Sequence, residues 1–183
     1  MGRDAGFLTA ASALARLRPD DGPHLVYLPE VPFSEAKFVR DVKAVMKKLG
    51  RCVVAVSEGI RGKDGVPMGA KLGSGEKDSH GNVQMSGTGA LGDALARVLK
   101  EKAKVKRVRA DMFGYLQRSF PGIASKVDQT EARAAGAAAV KAALKGELTK
   151  GTIAIVRAES KKYQVAFAPV PIQNAAKFTR SVP

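Results

Sequence analysis

The sequence contains one cysteine in 183 residues, no tryptophan, and only 5% aromatic residues. A single thiol, Cys52, excludes an internal disulfide framework and points to a reducing, cytoplasmic setting. It lies in the apolar run from Cys52 to Val56, where a small buried hydrophobe is the expected role. No apolar run approaches the roughly 18 to 20 residues that a bilayer span requires, so no membrane segment is expected. Near the start, Asp4 and Arg16 interrupt the apolar stretch, which reads as a loop and an amphipathic helix rather than a signal peptide. Gly6 stands where a myristoylation signal wants serine or threonine. Acidic residues are also scarce, 17 against 31 lysines and arginines, which leaves a formal charge of +14.

Such a charge attracts polyanions, and both nucleic acid and small phosphorylated metabolites qualify. The shortage of aromatic stacking residues and of a dense basic helical stripe speaks against nucleic acid, but composition alone leaves the choice open. The remainder, 45% hydrophobic and 26% charged, is ordinary for a globular chain of one or two small domains. His24 and His80 have no partners at metal-ligand spacing, and no Walker motif occurs. The pairs Gly73-Ser74-Gly75 and Gly87-Thr88-Gly89 are poor grounds for a phosphate cradle.

Helical and strand periods alternate along the chain. Residues 5–17 read as helix, and the segment from His24 to Glu30 as a short strand ended by Pro29. Ser34 is placed to cap a helix that runs to about Lys48 and stops at Gly50. A strand follows from Arg51 to Gly59. Residues 60–88, rich in Gly, Lys, Ser and Asp, read as a flexible insertion. Helix resumes at 89–101, the segment from Val105 to Asp111 reads as a strand, and Asp128 or Thr130 is placed to cap an alanine-rich helix to about Lys145. The segments 151–158 and 163–170 read as two strands of a hairpin, with a further helix beginning after them. Strands separated by helices imply an α/β fold, a mainly parallel sheet with helices on both faces. In such sheets ligands sit beyond the carboxyl ends of the strands.

Three polar clusters fall at predicted loop ends. Met1-Gly2-Arg3 precedes a helix, where free backbone N–H groups and a guanidinium suit an anion; a disordered terminus is the alternative. Ser57-Glu58-Gly59 closes an apolar strand with a carboxylate able to accept from sugar hydroxyls, or forms a simple turn. The segment from Arg109 to Arg118 sets two arginines and Tyr115 around one junction, suited to gripping phosphate oxygens, or forms a solvated basic face.

These clusters together resemble the phosphofructokinase family. The likeness rests on MGRDAG, YLPEVPF, VSEG and RADMFGYLQRS, in family order across nearly the whole chain. It implies that Met1, Gly2 and Arg3 hold the sugar phosphate, that Glu58 binds fructose hydroxyls, and that Tyr115 and Arg118 grip the 6-phosphate. Arg109 then reaches that phosphate across a subunit interface. Phe113-Gly114-Tyr115, the residues after Arg118 and the long polar stretch look more like the pyrophosphate-dependent branch than the ATP-dependent one. The implied reaction, a step of glycolysis, transfers phosphate from pyrophosphate to fructose 6-phosphate with Mg2+, in a cytoplasmic homodimer or homotetramer. The family's glycine-rich donor site and its Gly-Gly-Asp-Asp and Thr-Ile-Asp-Asn-Asp segments, the last bearing the expected base, have no match here. Residues 1–183 are thus expected to form the sugar-phosphate-binding part of the fold, without catalytic base, metal ligands or donor lobe, and to be inactive alone. A regulatory subunit and a nucleic-acid-binding module are the rival expectations.

Overall fold

A computed structural model describes residues 5–72, 90–114, 122–176 and 179–183. The chain divides into two compact units, Met1–Gly114 with Thr179–Pro183, and Tyr115–Phe178. In the first, helix α1 (Phe7–Ala11) runs into a single 3-10 turn (Ser12–Ala15). Strand β1 (Leu25–Tyr27), helix α2 (Glu35–Leu49) and strand β2 (Val54–Val56) form one crossover unit, because a parallel pair needs a long return path. Leu25 pairs with Val54 and Tyr27 with Val56, so both strands end at one edge.

Helix α2 begins and ends as its sequence directs. The Ser34 hydroxyl accepts a hydrogen bond from the Lys37 N–H at 3.3 Å. Glu35 stands in the first turn and Lys47 and Lys48 in the last, each complementing the helix dipole. Gly50 adopts φ 68° and returns its N–H to the Met46 carbonyl at 2.9 Å. Phe38 and Val42, one turn apart, are buried.

Helix α4 (Ala90–Lys102) buries Leu91, Ala94, Leu95, Val98 and Leu99, the 3-4 spacing of a single apolar stripe. That stripe joins Phe33, Phe38, Val42, Ile60 and Met68 in one core. Tyr27, Phe33 and Phe38 meet there with ring centroids 5.4–5.5 Å apart. Burial, followed by the hydrogen bond to Asp41, pushes the Tyr27 hydroxyl well above its usual pKa.

Two expectations are corrected in this unit. Residues 60–72 are folded rather than a flexible insertion. Ile60 is completely buried, Arg61 bridges to Pro67, and Met68–Leu72 forms helix α3. Ile60 and Met68, with Leu72 partly buried beside them, hold this segment, too widely spaced in a polar stretch to create a clear period in sequence. Residues 73–89 lie outside the described residues. The segment from Val105 to Asp111 is not a strand. Its half-buried valines, Val105 and Val108, are three residues apart, whereas one strand face repeats every two.

The second unit holds helix α5 (Lys126–Leu144), strands β3 (Gly151–Arg157) and β4 (Val165–Pro171), and helix α6 (Ile172–Ala176). The strands form the expected antiparallel hairpin, Gly151 opposite Pro171 and Arg157 opposite Val165. The α5 cap is Ser125, not Asp128 or Thr130: its hydroxyl accepts from the Asp128 N–H at 3.2 Å, which leaves Asp128 in the first turn. Tyr163 lies under the Arg157 guanidinium at 4.3 Å and donates its hydroxyl hydrogen to Glu131 at 3.0 Å.

Candidate functional site at the carboxyl edge of the parallel strands

The parallel register brings two loop segments to one sheet edge. Leu28, Pro29 and Glu30 continue β1, and Ser57, Glu58 and Gly59 continue β2. Ser57 is buried, at 7% exposure, and its N–H donates to the Tyr27 carbonyl at 3.0 Å, extending the ladder by one bond. Its hydroxyl accepts from the Gly59 N–H at 3.2 Å and its carbonyl from the Ile60 N–H at 3.3 Å. The turn is closed on both sides, with Ile60 driven into the core directly behind it. Glu58 is presented from this turn, half-buried at the strand end where ligands of parallel sheets bind.

A third segment is tied to the same edge. One carboxylate oxygen of Glu30 accepts the Gly6 N–H at 2.8 Å and the Val182 N–H at 3.0 Å. Burial opposes the charge on Glu30, but the two backbone donors outweigh it and hold the carboxyl below its ordinary pKa. Gly6 is buried against this carboxylate. A Cβ there would stand 2.8 Å from Glu30 Oε2, 2.9 Å from Leu28 Cδ2 and 3.0 Å from Pro29 Cδ, so only glycine fits. Gly6, which leads into α1, is therefore anchored at the end of β1.

Of the residues singled out in the sequence, Glu58 lies at this edge. Arg109 lies on the irregular stretch after α4, 78% exposed, with its Nε 3.0 Å from Asp111 Oδ1. Such an exposed pair is worth no more than about 1 kcal/mol, which leaves the guanidinium available to an anion. Met1, Gly2, Arg3, Tyr115 and Arg118 lie outside the described residues. Glu30 has no role in the sequence reading. Its signal was there, a Pro-Glu pair closing the strand beside the one that Glu58 closes. Among the described residues no group of three His, Cys, Asp or Glu is placed to hold a metal. No helix among them is long and apolar enough to cross a membrane.

The phosphofructokinase family model matches residues 1–143. The chain belongs to the phosphofructokinase family. A pyrophosphate–fructose 6-phosphate 1-phosphotransferase of Rhodospirillum rubrum is 53% identical to it over the whole chain, which covers 45% of that protein. Its counterpart in Xanthomonas campestris is 38% identical over the whole chain and 42% of its own length. The crystal structure of a pyrophosphate-dependent phosphofructokinase from Marinobacter aquaeolei superposes with a TM-score of 0.76 at 30% identity, over the whole chain and 40% of that protein. The chain thus spans about half the length of the curated relatives it matches or less. The α/β phosphofructokinase-like fold expected from sequence is the fold observed, with the candidate site edge at the ends of the parallel pair β1–β2.

Proposed function

We propose that this phosphofructokinase chain binds fructose 6-phosphate for phosphorylation at its 1-hydroxyl by pyrophosphate, giving fructose 1,6-bisphosphate. The observation that carries this reading is the single sheet edge at which Glu58 is presented and to which Glu30 anchors the segment behind Met1-Gly2-Arg3.

In this reading Gly2 and Arg3 offer donors to the sugar phosphate, and Glu58 accepts from fructose hydroxyls. Tyr115 and Arg118 hold the 6-phosphate, and Arg109 approaches it from another subunit of a homodimer or homotetramer. Anchoring the sugar by groups remote from the reacting oxygen removes translational and rotational freedom before reaction. The 1-hydroxyl oxygen then forms a bond to one phosphorus of pyrophosphate, the bridging P–O bond breaks, and orthophosphate departs with the electron pair. The hydroxyl proton passes to a base that the family resemblance places in the donor lobe, outside residues 1–183. Mg2+, where bound, neutralises the transferring phosphates, and no step is assigned to it in this chain. Pyrophosphate rather than ATP is favoured as donor by the names of the relatives and by Phe113-Gly114-Tyr115. A cytoplasmic setting accords with the unpaired Cys52. The +14 charge is assigned to phosphorylated small molecules rather than to nucleic acid.

Isothermal titration of the chain with fructose 6-phosphate tests this directly. Saturable binding is expected, weakened about 10- to 100-fold in Arg118→Ala, the worth of one charge-assisted bidentate contact. No heat from the sugar phosphate, together with DNA binding that falls steeply with salt, would replace this reading with the nucleic-acid one.

A further inference from the structure

Among the described residues, Ser57 is the one polar residue that is buried. A hydroxyl taken out of water is costly unless it is bonded, and an alanine would fill the end of an apolar strand without that cost. The Ser57 Oγ accepts from the Gly59 N–H at 3.2 Å, so the bond spans Glu58. The backbone of the same residue is held on both sides. Its N–H donates to the Tyr27 carbonyl at 3.0 Å, and its carbonyl accepts from the Ile60 N–H at 3.3 Å, with the Ile60 side chain completely buried behind the turn. Gly59 is itself buried, so its N–H has no water to turn to if the hydroxyl is removed. The peptide before Glu58 is thus fixed to β1 and the peptide after it to the Ser57 side chain. Fixing both peptides fixes the direction of the Glu58 Cα–Cβ bond.

We infer that Ser57 is a positioning residue for sugar recognition and acts through Glu58. Its hydroxyl locks the turn from Ser57 to Ile60, so that the Glu58 side chain leaves the end of β2 in one preset direction. An acceptor aimed before the ligand arrives loses less freedom on binding. Buried and engaged with Gly59, Ser57 does this without touching the sugar. The inference rests on the proposed binding of fructose 6-phosphate and extends it to how the acceptor for the fructose hydroxyls is aimed.

The test is a double-mutant cycle on the full chain, read by calorimetric titration with fructose 6-phosphate. It takes the parent, Ser57→Ala, Glu58→Ala and the double variant, with Ser57→Thr as the change that keeps the hydroxyl. Ser57→Ala is expected to raise the dissociation constant about tenfold, as befits a buried N–H that loses its acceptor. Ser57→Thr is expected to stay within about threefold of the parent, because the acceptor is retained. In the Glu58→Ala background, Ser57→Ala is expected to change binding by less than about twofold, because the group it aims is gone. A serine with a purely structural role weakens binding by the same factor in both backgrounds, and that result overturns the inference. So does a Ser57→Ala chain that binds within about twofold of the parent, a Ser57→Thr chain as weak as Ser57→Ala, or loss of amide protection at Phe38 and Leu95 in Ser57→Ala. If the parent chain itself does not bind fructose 6-phosphate, the proposed function fails. The lock is then judged by amide exchange at Gly59 and the HN–Hα coupling of Glu58. Both must change in Ser57→Ala and hold in Ser57→Thr, and any other pattern overturns the inference.

Discussion

Ile60 is the place where core packing and the site meet, and its truncation is the sharpest test of how the Glu58 turn is held. The side chain is 0% exposed and stands in the central cluster with Phe33, Phe38 and Met68. Its N–H donates to the Ser57 carbonyl and its carbonyl accepts from the Met68 N–H at 2.9 Å, so it fastens the turn on one side and α3 on the other. Ile60→Ala removes three buried carbons, about 2.4 kcal/mol of transfer free energy at 0.8 kcal/mol per methylene. The unfilled space adds to this, for a total of about 3–4 kcal/mol. Ile60→Val removes one carbon and should cost about 1 kcal/mol. Urea titrations followed through NMR signals of the first unit would read the difference without counting the second unit. With the slope unchanged, a loss of that size lowers the midpoint of Ile60→Ala by roughly 1–4 M. Fructose 6-phosphate affinity should survive in Ile60→Val, where the turn stays packed. A stability loss below 0.5 kcal/mol in Ile60→Ala would refute the reasoning, since surface positions cost about that much.

Three further outcomes follow from individual contacts. Burial opposes the charge on Asp41, but the hydrogen bonds from Lys37 and Tyr27 outweigh it and hold its pKa below the ordinary value. A depressed folded-state pKa contributes stability that is present above the unfolded value and is lost as pH falls through the folded one, so Asp41→Asn should flatten the acid limb of a thermal-melt series. Ser34→Ala removes the acceptor for the Lys37 N–H and should cost about 1 kcal/mol of α2 stability, read as faster amide exchange in its first turn. Gly6→Ala drives a methyl group into Glu30, Leu28 and Pro29 and should destabilise by about 1–3 kcal/mol, measured as a shift of the urea midpoint.

The sequence made legible those features in which local chemistry and period agree. Helix α2 has a serine cap, an apolar stripe and a terminal glycine, and it forms between the residues those signals mark. The hairpin β3–β4 announces itself through two apolar runs around a polar turn. What escaped depends on tertiary packing. Ile60 and Met68 are single anchors in a polar stretch, and nothing local says that a core awaits them. Val105 and Val108 sit amid basic residues in a run that resembles a strand, yet their spacing puts them on no common strand face. Ser125 competes with Asp128 and Thr130 as cap, and only the backbone path selects it. The sheet-edge position of Glu58 could be read from the apolar run before it. The reach of Glu30 to Gly6 and Val182, 24 and 152 residues away, could not.

Amide chemical-shift mapping of fructose 6-phosphate onto the chain bears most directly on the shared edge. Ser57, Glu58, Gly59 and Gly6 should move together, saturably and with one dissociation constant. Shifts that spare these four residues, or that follow separate binding curves at Gly6 and at Glu58, would contradict a common sugar-phosphate site at the ends of β1 and β2.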